Sequence, residues 1–257
     1  IQMFLRALKG EQSFWYSFSV YLGSGNILTN AYYALNPFNL LYLIESVSIP
    51  AMTIVIITIK IGLAAMCFQI FAAKNLKATP WTAVFFSLCY ALSGFNITLH
   101  FHIMWLDAIY MLPIIIGLIM DLVEKKKNVL LIFSYAYLFI TNFYMGFIVG
   151  VFSFAFFVLY LNYHCIKKDG KQGKQIFYIV IKYSFSVVLA AGLCAVILLP
   201  AADFLLSHMA GDNKGFEELT AGILDIVNSM FVGQMQTLDT KVPMLYCGLP
   251  VLLLVPF

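Results

Sequence analysis

The sequence predicts an all-α fold, a polytopic bundle of transmembrane helices. Three observations predict it. Of the 257 residues, 62% are apolar and only 11% charged, with a mean hydropathy of +0.92. A soluble domain carries about a quarter charged residues, because its surface faces water. Several stretches of about 19 to 24 residues hold at most one charge, enough to cross roughly 30 Å of hydrocarbon. The lysines cluster in short loops between those stretches: Lys74 and Lys77, then Lys125, Lys126 and Lys127, then Lys167, Lys168, Lys171 and Lys174. Short loops rich in Lys and Arg stay in the cytoplasm, so the clusters also orient the chain.

Residues 1–50 read as an outer-face loop carrying short amphipathic helices along the membrane surface. Ile1, Phe4, Leu5 and Leu8 share one helical face, with Gln2, Arg6 and Lys9 on the other. A glycine-rich turn at Gly23-Ser24-Gly25-Asn26 follows. Asn36-Pro37 is then a helix start, with Asn as cap and Pro at the first position. Trp15, Tyr16, Tyr21, Tyr32 and Tyr33 suit the headgroup layer.

Residues 51–199 form the bundle, with apolar runs at 51–73, 81–99, 103–123 and 176–199 each reading as one span. Residues 128–163 are a single apolar stretch flanked by basic loops, so it must cross twice. The turn is expected within Thr141-Asn142-Phe143-Tyr144-Met145-Gly146, with both arms short for a full span. The total is six spans. Residues 200–243 hold six acidic residues against Lys214 and Lys241 and read as a second outer-face loop, with a helix expected from Phe216 to Met230. An apolar run over 244–257 starts a further span. The chain opens at Ile1 without Met and stops inside that run, so it is expected to be a piece of a longer protein.

Several function classes are excluded. The five cysteines are scattered without CxxC spacing, against a zinc site or disulfide framework. No phosphate-loop or nucleophile-elbow pattern is present, and the lysines are explained by topology, so no nucleic-acid partner is expected. Asn96-Ile97-Thr98 fits a glycosylation sequon but lies at or within the membrane.

The polar residues inside the spans carry the functional signal. Lys60 sits near the centre of the first span, where an uncompensated lysine costs on the order of 3 kcal/mol. Asp107, one turn inside the third span, is its expected partner, either in an ion pair or in a shared site for an anion. Asn96, Thr98, His100, His102, Thr141, Asn142 and Tyr144 all fall at the outer ends of their spans, which points to a polar cavity opening outward. His100, His102 and Asp107 have the ligand types for a divalent cation, but a solvated pair of interfacial histidines is the favoured reading.

The blocks Phe14-Trp15-Tyr16, Asn36-Pro37-Phe38-Asn39, Lys60-Ile61-Gly62-Leu63, Met104-Trp105-Leu106-Asp107 and Asn142-Phe143-Tyr144, in this order across the chain, resemble the YfhO family of bacterial membrane proteins. That family is similar to the GT-C glycosyltransferases. The resemblance implies an enzyme of the bacterial plasma membrane that takes a sugar from a polyprenyl-phosphate donor in the membrane lipid. The acceptor would be a cell-envelope polymer such as teichoic acid. It implies that Lys60 holds the lipid phosphate; with Gln2 and the outer-end residues Asn96, His100, His102, Asn142 and Tyr144, Lys60 makes up the candidate substrate-binding set. The family's proposed catalytic Asp lies shortly before a Gln that Gln2 matches, so it would precede Ile1, and Asp107 is the substitute among the residues at hand. A transporter or flippase of a lipid-linked or small anionic substrate would use the same two charges. A scaffold without chemistry would leave the outer polar cluster without purpose.

Overall fold

The computed structural model describes residues 35–164 and 173–209 except Glu45 and Lys126, with scattered earlier residues that include Arg6, Tyr32 and Tyr33. Gln2, the amphipathic start of the chain, the helix expected at Phe216–Met230 and the run at 244–257 lie outside the described residues. The architecture is all-helical apart from a two-residue pairing. In it β1 (Tyr16–Ser17) runs antiparallel to β2 (Ser24–Gly25). Ser24 and Gly25, expected in a turn, therefore belong to a paired ladder.

The helix start at Asn36-Pro37 is present as a 3-10 helix, Pro37–Leu43, with Asn36 Oδ1 accepting from the Phe38 amide at 2.8 Å. Eight α-helices follow among the described residues: α1 (Ile49–Lys74), α2 (Pro80–Ala91), α3 (Gly94–Leu99), α4 (Leu106–Lys125), α5 (Val129–Thr141), α6 (Phe143–Leu161), α7 (Gly173–Leu193) and α8 (Ala195–Met209). Four of these segments, α1, α4, α6 with its C-terminal extension, and α7, are long and apolar enough to cross a membrane. Their outward faces are apolar, as at Ile54, Phe147, Leu159, Phe177 and Val188, all more than half exposed. A surface of this kind needs lipid as its solvent.

Helix α4 is the centre of the bundle and is buried along most of its length. It packs on α1 at one side and on α5 and α6 at the other; α2 lies against α1, and α7 against α5. Ile115, Ile119, Leu122, Leu131 and Leu138 are fully buried between these helices. The buried Tyr135 hydroxyl sits 2.6 Å from Ser153 Oγ and 3.2 Å from the Tyr183 hydroxyl, which joins α5, α6 and α7 by hydrogen bonds in the apolar core. The Asn75 and Phe71 side chains pack directly on the α4 backbone at Gly117, where a Cβ would lie 2.8 Å from Asn75 Oδ1.

The helix bounds differ from the sequence expectation in four places. The run at 81–99 is not one span: α2 ends at Ala91 and Ser93 starts α3. The buried Asn96 amide accompanies the break, donating to the Ala91 carbonyl at 3.0 Å and the Tyr90 carbonyl at 3.4 Å, so that the end of α2 gains side-chain donors. The run at 128–163 does divide, but at Asn142 alone. Its backbone is extended (φ −161°, ψ 103°), and its Oδ1 accepts from the Met145 amide at 2.9 Å. Of the two arms only α5 is short; α6 has 19 residues. The run at 176–199 breaks at Cys194. Helix α8 then continues through Pro200 to Met209, into the segment expected to be loop from residue 200. A proline disrupts the ladder toward residue i−4, here Val196. That point lies in the first turn of α8.

Candidate functional site

Lys60 is the twelfth residue of α1, and Asp107 lies in the first turn of α4. The packing of these two helices brings Lys60 Nζ to 2.7 Å from Asp107 Oδ1, with the side chains 1% and 0% exposed. A carboxylate in the first turn of a helix is favoured by the unsatisfied amides there. The ammonium also donates to the Ile103 carbonyl at 3.0 Å, a backbone acceptor in the segment leading into α4. Two of its three N–H groups therefore have partners. The expected pairing is present, and it makes this buried lysine compatible with an apolar surround.

A cavity of about 530 Å³ opens above Lys60, at the end of the bundle opposite the Lys74, Lys125 and Lys127 cluster. Its lining comes from distant parts of the chain: Tyr32, Tyr33, Asn36 and Asn39 before α1, residues 101–105 before α4, and Thr141 at the end of α5. Trp105 Nε1–H donates to the Tyr32 hydroxyl at 3.0 Å, which ties two walls together. The His102 ring stacks on Trp105 with centroids 4.2 Å apart. Asn36 is 4% exposed and lines the cavity; its Oδ1 caps the 3-10 helix, and its amide interacts with the buried Asp107 and Tyr110 side chains. The floor thus carries Lys60, whose third N–H is left for a ligand.

Asp107 is completely buried and does not line the cavity. His102 lines it, whereas His100 is exposed, its Nδ1 lying 2.8 Å from the Ile97 carbonyl of its own helix. His100, His102 and Asp107 do not converge as a cation site. Among the described residues no three His, Cys, Asp or Glu side chains are grouped to hold a metal ion. Asn96 is the cap described above and is absent from the lining. Asn142 begins α6, and its Nδ2 donates to the Tyr32 carbonyl at 3.3 Å, so it supports the cavity wall from behind. Tyr144 is 46% exposed, with its ring 6.3 Å from that of Tyr32. Tyr32, Tyr33, Asn36, Asn39 and Trp105 join the site only through the fold. The available signals were the capping asparagine and the tryptophan between two histidines and an aspartate.

No curated protein and no solved structure matches the chain. A family model described as bacterial membrane protein YfhO matches residues 1–257. With its apolar helical bundle and its buried charge pair, the chain belongs to the YfhO family of bacterial membrane proteins.

Proposed function

We propose that the chain is part of a membrane glycosyltransferase that takes a sugar from a polyprenyl-phosphate donor and transfers it to a cell-envelope polymer. The observation that carries this reading is the buried Lys60 at the floor of a cavity with aromatic and amide walls. In the bacterial plasma membrane the lysine-rich end would lie in the cytoplasm and the cavity would open outward. Because Asp107 neutralises Lys60, the floor offers hydrogen bonds more than net positive charge. Lys60 would donate to an oxygen of the donor's phosphate, and the aromatic rings would pack against the donor's apolar and sugar faces. Asp107 is then a positioning residue that holds the ammonium in place. The acceptor hydroxyl would attack the anomeric carbon and lose its proton to a carboxylate, with polyprenyl phosphate leaving.

A transport reading draws on a different observation: α2/α3 and α7/α8 are interrupted helices, and α4 contains Pro113. Discontinuous helices are common at transporter sites. One assay separates the two readings. Full-length protein in proteoliposomes receives a labelled polyprenyl-phosphate sugar and a teichoic-acid acceptor. Label on the acceptor supports transfer; label that crosses the bilayer unreacted supports transport and removes the transferase reading.

A further inference from the structure

The lysine-rich end of the bundle holds a second cavity that the proposed chemistry does not use, and it is amphipathic. It has a volume of about 420 Å³ and lies between the end of α4 and the start of α5, lined by Lys74, Leu118, Asp121, Lys127, Val129 and Leu130 among others. We propose that this cavity binds the anionic headgroup of a phospholipid, with an acyl chain lying along α5.

The charge arithmetic favours an anion. Asp121 Oδ2 takes Lys74 at 2.7 Å and Oδ1 takes Lys125 at 2.7 Å, so one carboxylate faces two ammonium groups. Lys127 adds a third and forms no ion pair among the described residues. Lys125 and its neighbour Glu124, which accepts from the Tyr160 hydroxyl at 2.5 Å, both lie outside this lining. Lys74 and Lys127 against Asp121 leave an excess of one positive charge around the floor. Basic pockets between helices at a membrane surface recognise phosphate-bearing lipid headgroups.

The walls favour a lipid over a soluble anion. Val129 and Leu130 are 62% and 68% exposed, and Phe133, one turn further along α5, is 64% exposed. At this spacing the three form a continuous apolar track along one helix face, running from the cationic floor toward the middle of the membrane. A soluble phosphate has no use for that track, whereas a phospholipid covers both parts at once.

The test uses the full-length protein purified with phosphatidylglycerol or with zwitterionic phosphatidylcholine, with bound lipid read by native mass spectrometry. Phosphatidylglycerol should be retained preferentially. Lys127→Gln should lower its retention about fivefold, the weight of one lysine at an anionic surface. Lys174→Gln, which removes a lysine of the same end outside this cavity, should leave retention unchanged. Lys127 has no ion pair to lose, so the variant is expected to fold; Phe133→Ser, which interrupts the track, gives an independent second reading with the same sign. Equal retention of both lipids, or equal retention by wild type and both variants, overturns the proposal. Displacement of phosphatidylglycerol by inorganic phosphate together with equal stabilisation by phosphate alone overturns the lipid assignment in favour of a soluble anion. None of these outcomes depends on whether the opposite cavity transfers a sugar.

Discussion

The Tyr90 hydroxyl donates to the Ile109 carbonyl at 2.7 Å, across the interface between α2 and α4. Ile109 is the residue four before Pro113, which has no amide to give it. A proline in the middle of a membrane helix frees one carbonyl, and in lipid that carbonyl must find another donor. Tyr90 supplies it, and its ring also stacks on Phe68 of α1 with centroids 4.7 Å apart. One side chain thus completes the α4 ladder and packs α2 against α1.

Tyr90→Phe should therefore destabilise the bundle by about 1–3 kcal/mol, the cost of a buried acceptor left without a partner. In a Pro113→Ala background the helix amide returns to Ile109, so the same substitution should cost less. Thermal unfolding of the four proteins in detergent gives the double-mutant cycle. Additive effects would show that the Tyr90 bond and the proline are independent.

Removing one member of the Lys60–Asp107 pair leaves the other charge buried without compensation. Lys60→Met and Asp107→Leu should each destabilise by about 3–5 kcal/mol, and the double variant should recover much of that loss because an apolar pair of similar volume suits the site. The transfer assay adds the functional arm: the double variant should be folded yet inactive. A folded, fully active double variant would confine the pair to a structural role.

Asn142 tests whether a polar residue near the cavity acts on substrate or on the fold. Asn142→Ala loses the α6 cap and the bond to the Tyr32 carbonyl, and should cost about 1–2 kcal/mol. Asn142→Asp keeps the capping oxygen and should recover part of the stability. If activity follows stability across the two variants, Asn142 is a supporting residue. If both are inactive at wild-type stability, it touches substrate.

The two ends of α5 and the start of α6 test the orientation. Lys127→Cys and Tyr144→Cys, both at exposed positions, should react with an impermeant thiol reagent from opposite sides of intact cells. Tyr144→Cys should label first and Lys127→Cys only after permeabilisation, as lysine-rich loops in the cytoplasm require. The reverse order would turn the cavity inward and remove the envelope acceptor from the proposed function.

Close packing of α1 on α4 gives the last prediction. Gly117→Leu would place a side chain against Asn75, which donates to the Gly117 carbonyl at 3.1 Å. The expected loss is about 1–3 kcal/mol from overpacking. Melting measurements of Gly117→Leu with and without Asn75→Ala should show partial relief in the double variant.

The amino-acid sequence by itself determined the solvent of this protein, the approximate placement of its helices and the identity of the buried Lys60–Asp107 ion pair. These follow from averages and from large penalties. A run of twenty apolar residues has no stable place in water, and a lysine within such a run requires a counter-charge wherever the chain folds. The breaks at Ser93 and Cys194, the continuation of α8 through Pro200 and the walls of the cavity were decided only by the tertiary structure. Each depends on a single partner elsewhere: Asn96 turns back onto the carbonyls of α2, and Trp105 reaches Tyr32 across 73 positions of sequence. Hydropathy records the medium a residue prefers and says nothing of which hydrogen-bonding group it will meet there. For that reason Asn96 and Asn142 read in the sequence as cavity residues, although the fold makes both of them helix caps.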